Sequence, residues 1–468
     1  MKRLQKLLVL YLCFGSAMTY GEQSAIGQST VSAASPLVLL AGFQARPARP
    51  VRPVRPAPRP RPPATRPSAP IRQPSADLIV TDRAVQARMA EIERQSSRLV
   101  ARTRRALEED KKSDKLVSRL QKNYGLTFIE VDGRFRLVRY REIIGVNLTD
   151  DDRMAAAKVG FRRYRLTNLP ATALQLDLLQ VPDDMPMQEV AARLASAGAT
   201  GLFTYNAVYM PAGATQDEID EPNVGAKKLL VASSFSIGMI DTGIHHKHKT
   251  LKTASITQKN FGRGDELTPR NHGTAVASII TGYGEPTIFA ADVFSGPILF
   301  SDVESIVRAM DWLAGKNVGV VNMSLAGPEN PLLGETVKRL AAKGHVIVAA
   351  VGNNGSQGEP LFPASYENVV GVTAVDTKSR IFKAAYQGRS VDYAALGVKV
   401  RAAAIRGNKK YSGTSFASPV IASFIAVRYS QSSIAGATET LQLLNDRVVD
   451  LGLPGVDPVF GIGFLPTQ

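Results

Sequence analysis

The chain has 468 residues, 44% of them hydrophobic, which suffices for a large core and for about two to four domains. Its 57 Lys and Arg against 41 Asp and Glu leave +16, a balance that suggests an anionic partner until its location is known. The single cysteine, Cys13, excludes an internal disulfide framework, a cysteine-built zinc site and an iron–sulfur cluster.

Most of that charge sits early. Residues 1–75 carry a net +10, residues 76–125 a net +4, and the remaining 343 residues only +2. Lys2, Arg3 and Lys6 precede an apolar stretch from Leu7 to Phe14, and Gly15, Ser16 and Ala17 follow. This is the layout of a secretory signal peptide, too short to span a membrane. We expect residues 1–21 to be a leader cut after Ala17 or Gly21, with Cys13 inside it, and the product to be secreted or periplasmic. The apolar stretch from Pro36 to Phe43 is also too short to span.

Between Gln44 and Pro74, 11 of 31 residues are proline and 8 are arginine. Proline removes amide donors and fixes φ, so residues 22–75 read as an extended, solvated spacer rather than a sheet or helix. Residues 44–74 act either as a stiff charged linker or as an arm for anionic surfaces such as phospholipid headgroups, nucleic acid or lipopolysaccharide. The near-neutral remainder gives no sign of a fold that reads specific nucleic acid.

The segment 76–125 is helical over residues 82–122. Val85, Met89, Ile92, Ser96, Leu99, Thr103 and Ala106 alternate spacings of four and three, a heptad seam that Ser96 and Thr103 weaken. That favours a packing helix or helical hairpin over a coiled coil.

From Phe128 to Met210 the pattern alternates short strands and helices. Strands are expected at Glu142–Val146, Phe161–Leu166, Leu174–Val181 and Gly201–Tyr209. Helices are expected from Thr149 to Val159, with acids in the first turn, and from Met187 to Ala197. The β-α-β-β-α-β order is the ferredoxin-like arrangement. Residues 126–221 carry a net −4 and residues 222–468 a net +6, opposite signs that favour association.

Three motifs occupy the last 247 residues. In Phe235-Ser236-Ile237-Gly238-Met239-Ile240-Asp241-Thr242-Gly243-Ile244 an apolar strand delivers an acid to its carboxyl end, where open α/β sheets place their sites. In Asn271-His272-Gly273-Thr274-Ala275 a histidine precedes a small-residue helix. In Ser412-Gly413-Thr414-Ser415-Phe416-Ala417-Ser418-Pro419 a serine stands at the mouth of an apolar helix, near unpaired N–H groups and a dipole that favours developing negative charge. His245, His246 and His248 lie in a lysine-rich stretch with no carboxylate or cysteine at ligand spacing. They read as surface or loop positions, and no metal site is read from the sequence.

The order Asp-Thr-Gly, His-Gly-Thr, Gly-Thr-Ser-x-Ala-Ser-Pro resembles the subtilisin-like serine proteases, whose Asp–His–Ser chain order is distinctive. Val318–Met323 followed by Ser324-Leu325-Ala326-Gly327-Pro328, His345–Val351 followed by Gly352-Asn353-Asn354-Gly355, Pro363-Ala364-Ser365, and Asp457–Gly463 resemble further family landmarks. The resemblance covers residues 232–468.

It implies an α/β, three-layer fold with a mostly parallel central sheet over residues 222–468. It also implies that the small α+β domain at 126–221 is an inhibitory, chaperone-like propeptide. Asp241, His272 and Ser415 would form the triad, and the Asn353 amide and Ser415 N–H the oxyanion hole. Ser324, Leu325, Ala326 and Gly327 would bind an extended polypeptide substrate. The resemblance thus implies an exported zymogen hydrolysing peptide bonds through an acyl-enzyme, matured by a cut between Met210 and Ser233. Structural calcium is implied by the resemblance alone, without an Asp-rich loop in the sequence. Phe416, Val420 and Leu396 depart from the family's usual residues, which bears on subsites rather than chemistry. The competing reading is an inert subtilase-fold scaffold that binds anionic surfaces through the Arg-Pro arm.

Overall fold

The computed structural model describes residues 83–109, 113–212, 234–296 and 298–466, all within the compact unit Leu37–Gln468. The leader, the Arg-Pro spacer and the 213–233 junction lie outside the described residues.

Two helices come first, α1 (Arg83–Glu108) and α2 (Asp114–Tyr124). They form the expected hairpin. The weak seam is its buried side: Ser96 and Thr103 are fully buried and return their hydroxyls to the Glu93 and Leu99 carbonyls. Small residues whose polar groups are satisfied within the helix permit close packing there. Leu99, Val100 and Leu120 pack with Leu126, Phe128, Leu137 and Val208, and with Ile298 and Phe300 of the later chain.

Next come β1 (Leu126–Val131), β2 (Arg134–Val146), α3 (Asp150–Lys158), β3 (Arg162–Leu169), β4 (Leu174–Gln180), α4 (Val190–Ser196) and β5 (Leu202–Pro211). The sheet runs β5-β2-β4-β3, all antiparallel, which is the ferredoxin-like order read from the sequence. The β1–β2 hairpin is an addition to it. The register of β2 against β5 shifts between Val138 and Ile143, and Arg141 there has φ 60°, marking a bulge in the long strand. Asp152 closes a capping box with Thr149 and also accepts the Thr200 and Gly201 amides. Burial opposes its charge, but donations from the Thr149 hydroxyl and the Thr200, Gly201 and Thr149 amides prevail and hold its carboxyl down at about 2.

The later chain supplies β6 (Ser234–Asp241), β7 (Ser255–Asn260), α5 (Asn271–Thr281), β8 (Glu285–Asp292), β9 (Ser301–Asp302), α6 (Val303–Ala314), β10 (Val320–Met323), β11 (Leu325–Ala326), α7 (Pro331–Ala342) and β12 (Val346–Ala350). It continues with β13 (Val369–Val375), β14 (Tyr393–Leu396), β15 (Val400–Ala403), β16 (Asn408–Tyr411), α8 (Thr414–Ala426), α9 (Ile434–Asn445) and β17 (Gly463–Phe464). Eight strands form one parallel sheet in the order β17-β14-β13-β12-β10-β6-β8-β7.

Strand alternation divides the core. Val346 and Val348 face one side with Ile237, Met239 and the apolar residues of α5 and α8. Ile347 and Ala349 face the other with Ile240, Val321 and the apolar residues of α6 and α7. Both faces are covered over the centre of the sheet, so its inner strands β12, β10 and β13 are largely apolar, as buried parallel strands require, while the edge strand β7 is polar and alternately exposed. The result is the expected three-layer α/β fold.

The antiparallel sheet is covered on both faces too. One face packs on α3 and α4. The other, through Ile144, Leu176, Leu178 and Ala207, packs on α6 and α7. Asn206 accepts the Glu304 amide in the first turn of α6, and Asn330, which caps α7, donates to the Tyr205 carbonyl. This docking aims the end of β5 along β11.

Candidate active site

The parallel sheet gathers the motif residues at the carboxyl ends of its central strands. Asp241 is the last residue of β6 and is fully buried; its Oδ1 accepts the Thr242 amide at 2.6 Å. Arg270 precedes α5 in extended conformation, and His272 is the second residue of that helix. His272 Nδ1 lies 2.8 Å from Asp241 Oδ1. Gly273 lets the helix approach closely: a Cβ there would lie 2.2 Å from the Thr242 carbonyl oxygen. The Phe416 ring is tilted against the imidazole at 5.4 Å. Among the described residues, His272 Nε2 and Asp241 Oδ2 have no hydrogen-bond partner.

Ser415 is the second residue of α8 and is fully buried. Gly413, at φ 151°, makes the turn into the helix. Pro419 has no N–H to give the carbonyl four residues earlier, and that carbonyl belongs to Ser415. It accepts the Ser324 hydroxyl instead, at 2.9 Å. Ser324 in turn takes a bond from Asn322 Nδ2 at 3.0 Å, and Asn322 Oδ1 accepts from Ser418 at 2.7 Å. A single proline thus ties α8 to the end of β10. Ser415 Oγ donates to the Ser324 carbonyl at 3.1 Å rather than facing His272 Nε2.

Asn353 follows β12 after Gly352, which has φ 100°. Its Oδ1 accepts the Thr414 amide and hydroxyl, both at 3.2 Å, which fixes the amide orientation. Its Nδ2 donates to the carbonyl of Ala212.

That contact is the feature sequence reasoning missed. Leu325 and Ala326 pair antiparallel with Pro211 and Met210, and the Ala212 amide donates to the Ser324 carbonyl at 3.1 Å. On its other edge β5 pairs with β9, Val208 opposite Asp302 and Tyr209 opposite Ser301. Ser324, Leu325 and Ala326 therefore hold an extended strand, and the strand belongs to the same chain. Gly327 bridges Phe362, each amide bonding the other's carbonyl at 2.9 Å. The available signal was the strand pattern running on past Tyr209 to Pro211, directly ahead of the acid-rich 213–221.

Charged groups join the two parts of the chain. The buried Arg139 of β2 donates to Asp302 Oδ2 at 2.9 Å, and Arg263 donates to the same oxygen at 2.7 Å while also gripping Glu142. Burial alone would raise the Asp302 carboxyl. Arg139 and Arg263 outweigh it and hold it well below the usual carboxylate range. Arg165 pairs with the buried Glu304, and Glu93 of α1 pairs with Arg270, two residues ahead of His272. Asp292, at the end of β8 opposite Asp241, was also not anticipated. Burial pushes it up to about 6, against the Thr268 and Phe294 amides and Arg270, with Asp241 adding to the rise.

His248 is a correction. It keeps a loop position but is buried rather than at the surface, because Nε2 reaches the Gly407 carbonyl at 2.8 Å and Nδ1 meets Thr250 at 2.9 Å. Among the described residues no three His, Cys, Asp or Glu gather as metal ligands.

A parallel α/β sheet with a histidine, an acid and a serine brought to its carboxyl edge defines the class, and the comparisons narrow it. A model of the subtilase family matches residues 232–463. Subtilisin DY of Bacillus licheniformis is 30% identical over 237 residues, 47% of this chain and 85% of that protein. The minor extracellular protease Epr of Bacillus subtilis is 29% identical over 250 residues, 50% of this chain but only 38% of that protein. The crystal structure of fervidolysin from Fervidobacterium pennivorans, a keratinolytic enzyme related to subtilisin, shares the fold with a TM-score of 0.57. It is 17% identical and covers 70% of this chain and 60% of its own. The chain belongs to the subtilase family and is a subtilisin-like serine protease.

Proposed function

We propose that the chain is an exported zymogen of a serine endopeptidase whose own residues 209–212 occupy its substrate cleft. The observation that carries this reading is the end of β5, with the Ala212 amide on the Ser324 carbonyl and the Ala212 carbonyl on the Asn353 amide. A substrate awaiting attack at residue 212 needs those two bonds, one to align its backbone and one to polarise its carbonyl. The bond to be cut is then Ala212–Gly213, inside the 210–233 window expected from the sequence.

Ser415 Oγ attacks the Ala212 carbonyl carbon after a χ1 rotation that exchanges the Ser324 carbonyl for His272 Nε2. His272 takes the hydroxyl proton as the Oγ–C bond forms. Asp241, bonded to Nδ1, holds the tautomer and stabilises the imidazolium. The oxyanion is held by the Asn353 amide and the Ser415 N–H, which is free in the first turn of α8. Collapse breaks the C–N bond, and His272 gives its proton to the Gly213 amine. Water, deprotonated by His272, then releases the acyl group from Ser415.

Residues 126–212 remain as an inhibitor until removed, and α1 and α2 belong to the same inhibitory unit through Glu93 and the apolar contact with Ile298 and Phe300. Polypeptides are the substrates. Export rests on the leader at 1–21 and on the extracellular naming of a relative, Epr. No helix among the described residues is long and apolar enough to cross a membrane. Labelling with a fluorophosphonate tests the chemistry: Ser415 should be modified in the processed chain and His272→Ala should abolish it. Labelling that ignores His272 would end this reading.

A further inference from the structure

Building on the assignment of residues 209–212 to the substrate cleft, we infer that Leu361 and Gly327 set the specificity of this enzyme. They select alanine at the cut bond and tyrosine three residues before it, in a Tyr-x-x-Ala pattern.

The end of β5 and Ala212 beyond it present their side chains unequally. Met210 points outward and is 44% exposed, whereas Tyr209 and Ala212 are buried. The Ala212 methyl packs with Ala326, Ala350 and Leu361. Leu361 lies directly over Gly352, where a Cβ would come within 2.5 Å of its Cδ1. The space beneath residue 212 is thus already filled by a leucine side chain, and it accommodates a methyl group. A larger side chain must displace Leu361, and overfilled pockets of this kind discriminate strongly.

The Tyr209 position is built the opposite way. Its ring lies on Gly327, where a Cβ would come within 2.3 Å of the ring, so only glycine leaves room for an aromatic side chain. Its hydroxyl donates to the Pro328 carbonyl at 2.8 Å. Phenylalanine would fill the same volume and leave that carbonyl unpaired, so tyrosine is favoured about tenfold over phenylalanine. The exposed Met210 imposes no choice.

The test uses the full chain after its own processing and quenched peptides built on Tyr-Met-Pro-Ala-Gly. The parent should cleave after alanine at least 100-fold faster, in kcat/KM, than after phenylalanine or leucine. Replacing the peptide tyrosine by phenylalanine should cost about tenfold. Leu361→Ala should shrink the alanine-over-phenylalanine ratio by at least tenfold, and Gly327→Ala should do the same to the tyrosine-over-alanine ratio at the earlier position. Fluorophosphonate labelling confirms that each variant is folded. Equal rates for alanine and phenylalanine, or ratios that neither variant moves, would overturn the specificity assignment while leaving the protease intact. No hydrolysis of any peptide, with Ser415 unlabelled, would overturn the enzyme reading together with it.

Discussion

Replacing Arg139 by methionine should open the cleft of the self-cut protein. Arg139 is 8% exposed at its side chain and donates Nε to Asp302 Oδ2, with Asp302 fully buried. Removing one partner of a buried pair costs about 3–5 kcal/mol, because the other charge stays desolvated. Asp302 keeps Arg263 and the Ser305 amide, which places the loss near the lower end, about 3 kcal/mol. If residues 126–212 must leave before a peptide can enter, that loss raises the fraction of open cleft about 100-fold. The assay is the residual peptide hydrolysis of R139M and parent at equal concentration, both cut after Ala212 but not otherwise digested. Glu359→Gln provides the contrast. It removes a pair with Arg134 and Arg136 that is exposed to solvent, and should change residual hydrolysis less than about fivefold. Equal residual activity of R139M and parent would refute the idea that this buried junction holds β5 in place.

Other outcomes follow from the same contacts. Asn353→Ala should slow hydrolysis by about 100- to 1000-fold, the range for one lost oxyanion donor, which was established on a subtilisin and is carried over from the family; single-turnover kinetics checks it, and a loss below tenfold contradicts the oxyanion role. Gly273→Ala forces a Cβ against the Thr242 carbonyl, so it should cost about 1–3 kcal/mol in denaturant unfolding and displace His272 enough to depress kcat. In the folded chain Asp292 holds its proton up to about pH 6, against 3.8 for the free group. Its contribution to stability is complete below pH 3.8 and is lost as pH rises to about 6. Asp292→Asn lacks that loss, so its melting temperature relative to the parent should climb between pH 4 and 7; a flat difference contradicts the burial argument.

The chemistry was the most legible part of the sequence. Strand, helix and small-residue patterns placed Asp241 at a strand end and His272 and Ser415 in first helical turns, because those patterns are local. The ferredoxin-like order was legible for the same reason, from the strand-like runs at Phe161–Leu166 and Leu174–Val181 and the acids in the first helical turn after Thr149. What escaped was non-local. Neither the Ala212–Asn353 contact nor the Arg139–Asp302–Arg263 junction leaves a periodic trace in the chain. Net charge also misled in its detail. Residues 126–221 are acidic overall, yet in four of their ion pairs arginines (Arg134, Arg136, Arg139 and Arg165) meet acids of the later, basic part, Glu359, Asp302 and Glu304. Among the described residues, Glu142 with Arg263 is the one ion pair that runs in the direction the totals suggest. A few positioned side chains decide such a junction, and totals do not report them.

The most direct test is the N-terminal sequence and intact mass of the secreted product, compared with Ser415→Ala expressed in the same way. The mature chain should begin at Gly213, with no cut there in the variant. A first cut at another bond, or the same cut in Ser415→Ala, would contradict it.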